Sequence, residues 1–372
     1  EAWYRDNGIT LHKGKEVVTI DRRRHTVTAS DGTEAPYDRL LLATGSNPFL
    51  LPVPGKDLPG VVGFRDLRDV ETMLAAAGEF QHAVVIGGGL LGLEAANGLL
   101  KHGMKVTVVH LPELLMERQL DAPAARMLKK SLEARGLEFV MQGVTEEIIG
   151  RKRVQGMRLK DGRELTADLV VMAVGIRPSI DLAKRAGIYC ERGILVNDTM
   201  QTYDPAVYAV GECVQHRGQT YGLVAPLFEQ AKVCANHLAH LGYARYEGSL
   251  TSTKLKVTGI DLFSAGDFTG DEHSEEIVLK DASQGTYKKL VIHDNRIQGA
   301  VMYGDTGDGA SYFQLMRDGT DIGAFRDQLM FGQAHLGDAG HGGQSKAAAM
   351  SDAMEVCGCN GVCKGTIVKA IS

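Results

Sequence analysis

The stretch Ala83-Val84-Val85-Ile86-Gly87-Gly88-Gly89-Leu90-Leu91-Gly92-Leu93-Glu94-Ala95-Ala96 decides the fold class. An apolar run enters a glycine cluster, and a helix-forming run leaves it. Gly87, Gly89 and Gly92 fit G-x-G-x-x-G in the context that gives the pattern meaning, after a strand and opening a helix. Gly87 permits the tight turn, Gly89 lets backbone approach a pyrophosphate, and Gly92 lets helix and strand pack closely. The helix N-terminus offers free N–H groups and the positive end of its dipole to phosphates. The strand Val106–Val109 completes a βαβ unit. An acid that grips the ribose is expected about 20 residues after the glycines. His110 stands there instead. Neutral imidazole can hydrogen-bond a ribose 2′-hydroxyl and imidazolium can pair with a 2′-phosphate, so NAD and NADP both stay open.

Upstream, residues 15–42 read as β-rich, with Asp31-Gly32 as a turn. Leu40 to Ala43 reads as a short apolar strand of a buried parallel sheet. Pro48, Pro52, Pro54 and Pro59 mark a linker-like crossing. Downstream, the patterns predict a helix over about 121–135, ending at Gly136, and strands at 137–141, 154–159 and 168–174. A short strand is expected around 206–210 and a helix over about 224–241. Leu255–Val257, Glu276–Leu279, Tyr287–Ile292 and Gly299–Met302 read as antiparallel strands of a small α+β domain. Residues 333–350, rich in Gly, Ala, His and Ser, read as a flexible linker.

Composition excludes several classes. The 372 residues are 44% hydrophobic and 23% charged, ordinary for a globular protein of two to three domains. A net charge of -5 argues against nucleic acid or an anionic membrane as the main partner. No run of 18 apolar residues suggests a membrane span. The 45 glycines exceed the average share of about 7% without a G-X-Y repeat, as suits many tight turns near phosphates. Cys190, Cys213 and Cys234 are scattered and read as ordinary thiols, whereas Cys357, Cys359 and Cys363 cluster as metal ligands do. The twelve histidines show no metal spacing. The chain opens Glu-Ala-Trp-Tyr, with neither an initiator Met nor a signal pattern, and is expected to be a fragment.

Two more strand ends belong beside the glycine turn. Leu41-Leu42-Ala43-Thr44-Gly45-Ser46 ends an apolar strand in Ala-Thr-Gly. Val207-Tyr208-Ala209-Val210-Gly211-Glu212 ends one in Gly-acid, where a carboxylate can accept hydroxyl hydrogen bonds from a polyol. The helix from about 224 would aim its N-terminus at an electron-rich ring edge. In this order, with Ala173-Val174-Gly175-Ile176-Arg177-Pro178, these segments resemble the two-dinucleotide-fold flavoprotein reductases over about residues 1–243. The resemblance implies FAD held through Thr44, Gly45, Gly211 and Glu212, and a nicotinamide nucleotide held through Gly87, Gly89 and Gly92. Gly175 would lie where the nucleotide domain faces the FAD domain, and Glu94 matches a family glutamate near the nicotinamide. The chain departs from the family in lacking the first FAD-binding βαβ.

His110-Leu111-Pro112-Glu113-Leu114-Leu115-Met116-Glu117-Arg118-Gln119-Leu120-Asp121, Tyr221–Pro226 and Lys254–Asp261 narrow the resemblance to the large subunits of assimilatory NAD(P)H-dependent nitrite reductases. Val356-Cys357-Gly358-Cys359-Asn360-Gly361-Val362-Cys363 is similar to the start of a bacterioferritin-associated-ferredoxin-like domain. That likeness implies Cys357 and Cys359 as the first ligand pair of a [2Fe–2S] cluster, with Cys363 a bystander; zinc is the alternative metal.

The expected fold is therefore α/β, with two Rossmann-like domains, a small α+β domain and a truncated Fe–S domain. The expected boundaries are 1–82 for a partial FAD domain, 83–182 for the NAD(P)H domain and 183–243 for the FAD return segment. The α+β domain follows at 244–332, the linker at 333–350 and the Fe–S start at 351–372. The implied activity carries electrons from NAD(P)H through FAD to the [2Fe–2S] centre, then to a sirohaem and [4Fe–4S] module that reduces nitrite. No residues for that last module occur here. Alternatives are the electron-transfer subunit of an assimilatory nitrate reductase, a rubredoxin or ferredoxin reductase, or a non-catalytic nucleotide-binding module. A nitrite reductase small subunit is a possible partner, and a cytoplasmic homo-oligomer is expected.

Overall fold

A computed structural model describes residues 1–255, 259–281, 283–331, 351–353, 355–357 and 362–371. The linker expected at 333–350 lies outside them, as does Cys359. The chain divides into two compact units. One comprises Glu1–Asn47, Ile176–Ser249 and Ser351–Ser372; the other comprises Pro48–Gly175 and Leu250–Met350.

The second unit is built on a five-stranded, all-parallel sheet. Its order is Val61–Val62, Leu169–Met172, His82–Ile86, Lys105–His110, Glu138–Met141. Along His82–Ile86 the side chains alternate between two cores. Ala83 and Val85 join the cluster under the helices Leu67–Glu79, Leu90–Lys101 and Ala122–Glu133. Val84 and Ile86 join Ile148, Val154, Met157 and Leu159 from the antiparallel sheet Thr145–Gly150, Val154–Leu159, Glu164–Thr166. Both faces are covered, which explains why the strand reads as an unbroken apolar run rather than an alternating one.

Leu67–Glu79 and Val61–Val62 emerge from a region read as a crossing. Asp66 caps the helix by accepting from the Arg68 and Asp69 N–H groups, and Asp69 returns the favour in a capping box. Thr145–Gly150 and Leu262–Gly266 are further strands beyond those expected.

The C-terminal sheet of this unit runs Ser252–Leu255, Leu262–Gly266, Arg296–Tyr303, Thr286–His293, Glu275–Asp281, antiparallel throughout. One face packs on Tyr312 and Leu329. From the other, Tyr287, Val301 and Tyr303 enter the core under Ala122–Glu133. Asp121 joins the two layers: Oδ1 caps that helix at Ala124 and Oδ2 accepts from the Tyr287 hydroxyl at 2.6 Å.

The first unit has smaller sheets. Val17–Asp21, Thr26–Ala29 and Glu34–Pro36 form an antiparallel meander. Leu40–Leu42 pairs in parallel with Val207–Ala209, and Ile194–Val196 with Val214–His216. Ile20, Leu42, Val207, Ala209 and Val214 share one core. Tyr208 and Cys234, the latter from the helix Val224–Leu238, share another. No helix among the described residues is long and apolar enough to cross a membrane.

Candidate functional site

In the second unit the turn after His82–Ile86 is held by collisions that glycine alone avoids. A Cβ on Gly92 would stand 1.9 Å from the Gly87 carbonyl oxygen, and one on Gly87 would stand 2.3 Å from the Ala173 carbonyl oxygen. Helix and sheet therefore approach closely here because these positions carry no side chain. Gly89 differs: a Cβ there would meet nothing within 4 Å. It is also the N-cap of Leu90–Lys101, and no side chain caps that helix. The first-turn N–H groups thus keep the character that draws a phosphate.

Gly88, which the motif leaves as an arbitrary residue, is equally constrained. A Cβ there would stand 2.6 Å from Leu115 Cδ2 and 2.9 Å from His110 Cγ. The Gly88 N–H donates to His110 Nδ1 at 2.9 Å, and the Gly88 carbonyl accepts from the Met116 N–H at 3.0 Å. His110 is buried. Its Nε2 lies 3.0 Å from the Leu114 carbonyl oxygen and 3.1 Å from Glu117 Oε2. The ring braces the glycine turn from the end of Lys105–His110, with both nitrogens engaged inside the protein.

Glu94 sits on Leu90–Lys101, and burial pushes its carboxyl above the ordinary carboxylate range. Gly175 follows Leu169–Met172 with φ +109°, and its carbonyl accepts from the Phe49 N–H at 2.9 Å.

In the first unit a cavity of about 360 Å³ lies where the two parallel strands end. Ala43, Gly45, Gly211, Glu212, Val224 and Phe228 are among its lining residues. Thr44 spends its hydroxyl on the Ser179 carbonyl oxygen at 2.7 Å, so it holds the strand end in place. Gly45 and Gly211 adopt φ +65° and +93°, and a Cβ on either would meet nothing within 4 Å. Glu212 accepts from the Ser46 hydroxyl at 2.6 Å. The Gly211 N–H donates to Oε1 of the buried Gln230 at 3.0 Å, which ties the strand end to Val224–Leu238. That helix begins beside the cavity at Val224, and no side chain caps it. Ser46 and Gln230 carry no sequence signal of their own; their part appears only once the strands and the helix are assembled.

Cys213 and Cys234 are buried, and burial pushes the Cys234 thiol up to about 11. Cys357 ends the strand Glu355–Cys357, which pairs antiparallel with Val362–Cys363. Among the described residues no group of three or more His, Cys, Asp or Glu side chains is placed to hold a metal ion.

Comparisons with known proteins agree with this architecture. The family described as "Pyridine nucleotide-disulphide oxidoreductase" matches residues 4–237, and "Rubredoxin NAD+ reductase C-terminal domain" matches 252–320. The chain is 51% identical to "Nitrite reductase [NAD(P)H]" of Bacillus subtilis (strain 168), over 99% of this chain and 45% of that protein. It is 42% identical to that organism's "Assimilatory nitrate reductase electron transfer subunit", over 99% of this chain and 47% of that one. The chain thus spans about half the length of these relatives. A ferredoxin reductase from Rhodopseudomonas palustris superposes with a TM-score of 0.76 at 27% identity, covering 83% of this chain and 77% of that one. With the family match running across both the glycine turn and the strand-end cavity, the chain belongs to the pyridine nucleotide-disulphide oxidoreductase family.

Proposed function

We propose that this chain is the electron-entry part of an assimilatory nitrite reductase. It takes reducing equivalents from NAD(P)H, holds FAD, and serves a [2Fe–2S] centre begun by Cys357 and Cys359. The sirohaem and [4Fe–4S] module that reduces nitrite belongs to the part of such proteins that this chain does not cover. The observation that carries the reading is the pair of strand-end sites, one in each unit, each beside a helix N-terminus free of a side-chain cap.

The residues present fit a nicotinamide nucleotide and the ribityl and ring portion of FAD. Gly89 leaves open backbone beside the first turn of Leu90–Lys101, as a pyrophosphate needs. Gly87 and Gly92 keep that turn close to the sheet. In the first unit, Glu212 is the acceptor for ribityl hydroxyls, with Ser46 orienting its carboxylate. Gly45 and Gly211 keep the wall of the cavity open. The uncapped start of Val224–Leu238 favours negative charge beside it, so it would favour electron density on a ring held there. When bound, FAD supplies the conversion between a two-electron hydride donor and single-electron delivery. No general acid or nucleophile is required of the protein. The expected boundaries 83–182 for nucleotide binding and 1–82 with 183–243 for flavin binding shift with the fold: Val61–Val62 and Leu67–Glu79 lie with the glycine turn in the unit that starts at Pro48, and the strand-end cavity lies in the unit of Glu1–Asn47 and Ile176–Ser249.

The test uses the full-length flavoprotein. NADH-dependent reduction of ferricyanide should survive Cys357→Ser and Cys359→Ser, while nitrite-dependent NADH oxidation and the [2Fe–2S] spectroscopic signal are lost, because a hard hydroxyl replaces a soft thiolate. Cys363→Ser should leave all three. A full-length protein that purifies colourless yet binds NADH would overturn the reductase reading in favour of a nucleotide-binding module. The 42% identity to a nitrate reductase electron-transfer subunit supports a second reading, delivery to a nitrate-reducing partner. Nitrate-dependent rather than nitrite-dependent turnover would establish it.

A further inference from the structure

His110 occupies the position from which a dinucleotide fold selects its nucleotide, but its ring has no nitrogen to spare. The Gly88 N–H donates to Nδ1 at 2.9 Å, so Nδ1 carries no proton in this arrangement. The ring proton then sits on Nε2, where the Leu114 carbonyl at 3.0 Å and Glu117 Oε2 at 3.1 Å accept it. A ring held on both sides neither reaches a ribose hydroxyl nor pairs with a phosphate.

The imidazole instead holds a carboxylate at the end of the second strand, that of Glu117. Its side chain is 40% exposed, against 8% for His110. One oxygen is fixed by the imidazole; the other, Oε1, has no hydrogen-bond partner among the described residues. The loop that carries it is itself fixed. Met116, one residue before, takes φ +51° and donates its N–H to the Gly88 carbonyl. Leu115 packs where a Gly88 side chain would be. Gly88, His110, Met116 and Glu117 thus form one connected unit, running from the glycine turn through the imidazole to a carboxylate. In open α/β sheets ligands bind outside the carboxyl ends of the strands, and an acid there accepts from the ribose 2′-hydroxyl.

We propose that Glu117, set by His110, is the residue by which this chain selects NADH over NADPH. The inference rests on the nucleotide-binding reading above. A carboxylate accepts from a free 2′-hydroxyl and repels a 2′-phosphate, which carries two negative charges or nearly so. His110 is a positioning residue: it touches no nucleotide, and it fixes both the glycine turn and the acid.

Calorimetric titration of the full chain with NAD+ and NADP+, alongside flavin reduction by NADH and NADPH, tests this. The wild type should bind NAD+ more tightly than NADP+. Glu117→Gln should lower that preference by about tenfold, since partial exposure screens the charge. Glu117→Arg should lower it further. His110→Gln should move the preference in the same direction, whereas a role confined to folding would weaken both nucleotides equally. An unchanged preference in Glu117→Gln with intact NAD+ binding overturns the inference, and so does a wild type that prefers NADP+. A wild type that binds neither nucleotide overturns the underlying reading instead.

Discussion

At the turn after His82–Ile86, a side chain on Gly87, Gly88 or Gly92 would strike a neighbour at 2.3, 2.6 or 1.9 Å. At the strand ends after Leu40–Leu42 and Val207–Ala209, a side chain on Gly45 or Gly211 would meet nothing within 4 Å. The first set is glycine for want of space, and Gly87 for its backbone as well, at φ +117°. The second is glycine because the backbone is left-handed, at φ +65° and +93°. One turn sits in a five-stranded sheet covered on both faces; the other two end a two-stranded parallel pair beside a cavity. Depth of packing decides whether a substitution meets a collision or only an unfavourable backbone angle, and therefore what it breaks.

The largest effect is expected at Gly92. Its Cβ would meet a carbonyl oxygen rather than the far end of a flexible side chain, so either the helix or the turn must move. Gly92→Ala should cost about 3 kcal/mol of stability in denaturant unfolding and abolish nucleotide binding with it. A variant that melts like the wild type would show that the turn is looser than the structure has it. Gly89→Val sharpens the contrast within the same motif. Nothing stands near its Cβ, so the melting profile should stay close to wild type while nucleotide affinity falls about 100-fold, or about 2.7 kcal/mol. Unchanged affinity by calorimetry would reduce the βαβ to a structural role.

On the cavity side the expected effect is smaller. Glu212→Ala in the full-length protein should lower FAD retention by about 1.5–3 kcal/mol, the loss of a charged hydrogen-bond acceptor. It also leaves the Ser46 hydroxyl without that partner. Full flavin occupancy after dialysis would remove Glu212 from the site.

What the sequence made legible follows the same division. The glycine turn, its strand and its helix were readable because the spacing of Gly87, Gly89 and Gly92 records local geometry. Gly88 was not, because the reason for it lies 22 residues away in His110 and in the Leu115 side chain. Leu67–Glu79 was hidden by the prolines just before it, although Asp66 and Asp69 carry a capping-box signal in an acid-for-acid form. Val61–Val62 is two residues long, and only its parallel pairing to Val170–Val171 makes it a strand. Leu262–Gly266 was lost because its Ser264 and Gly266 dilute the apolar alternation, while the sheet supplies partners on both sides. Ser46 and Gln230 were silent for a related reason: a hydroxyl or an amide takes its role from what folding brings to it.

The smallest effect, and the sharpest test of the comparison, belongs to Gly45. If its requirement is conformational, the cost depends on how well the new residue tolerates φ +65°, not on its volume. Alanine in the left-handed region costs about 1–2 kcal/mol, and asparagine costs less because its short side chain bonds to local backbone. Gly45→Asn should therefore be milder than Gly45→Ala in thermal unfolding, despite being larger. The order at Gly92 should be the reverse, with Gly92→Ala milder than Gly92→Asn, since there every added atom worsens a collision. Both pairs of variants can be measured in one set of melts. If alanine is the milder substitution at both sites, space rather than backbone conformation governs Gly45, and the distinction between the two turns fails.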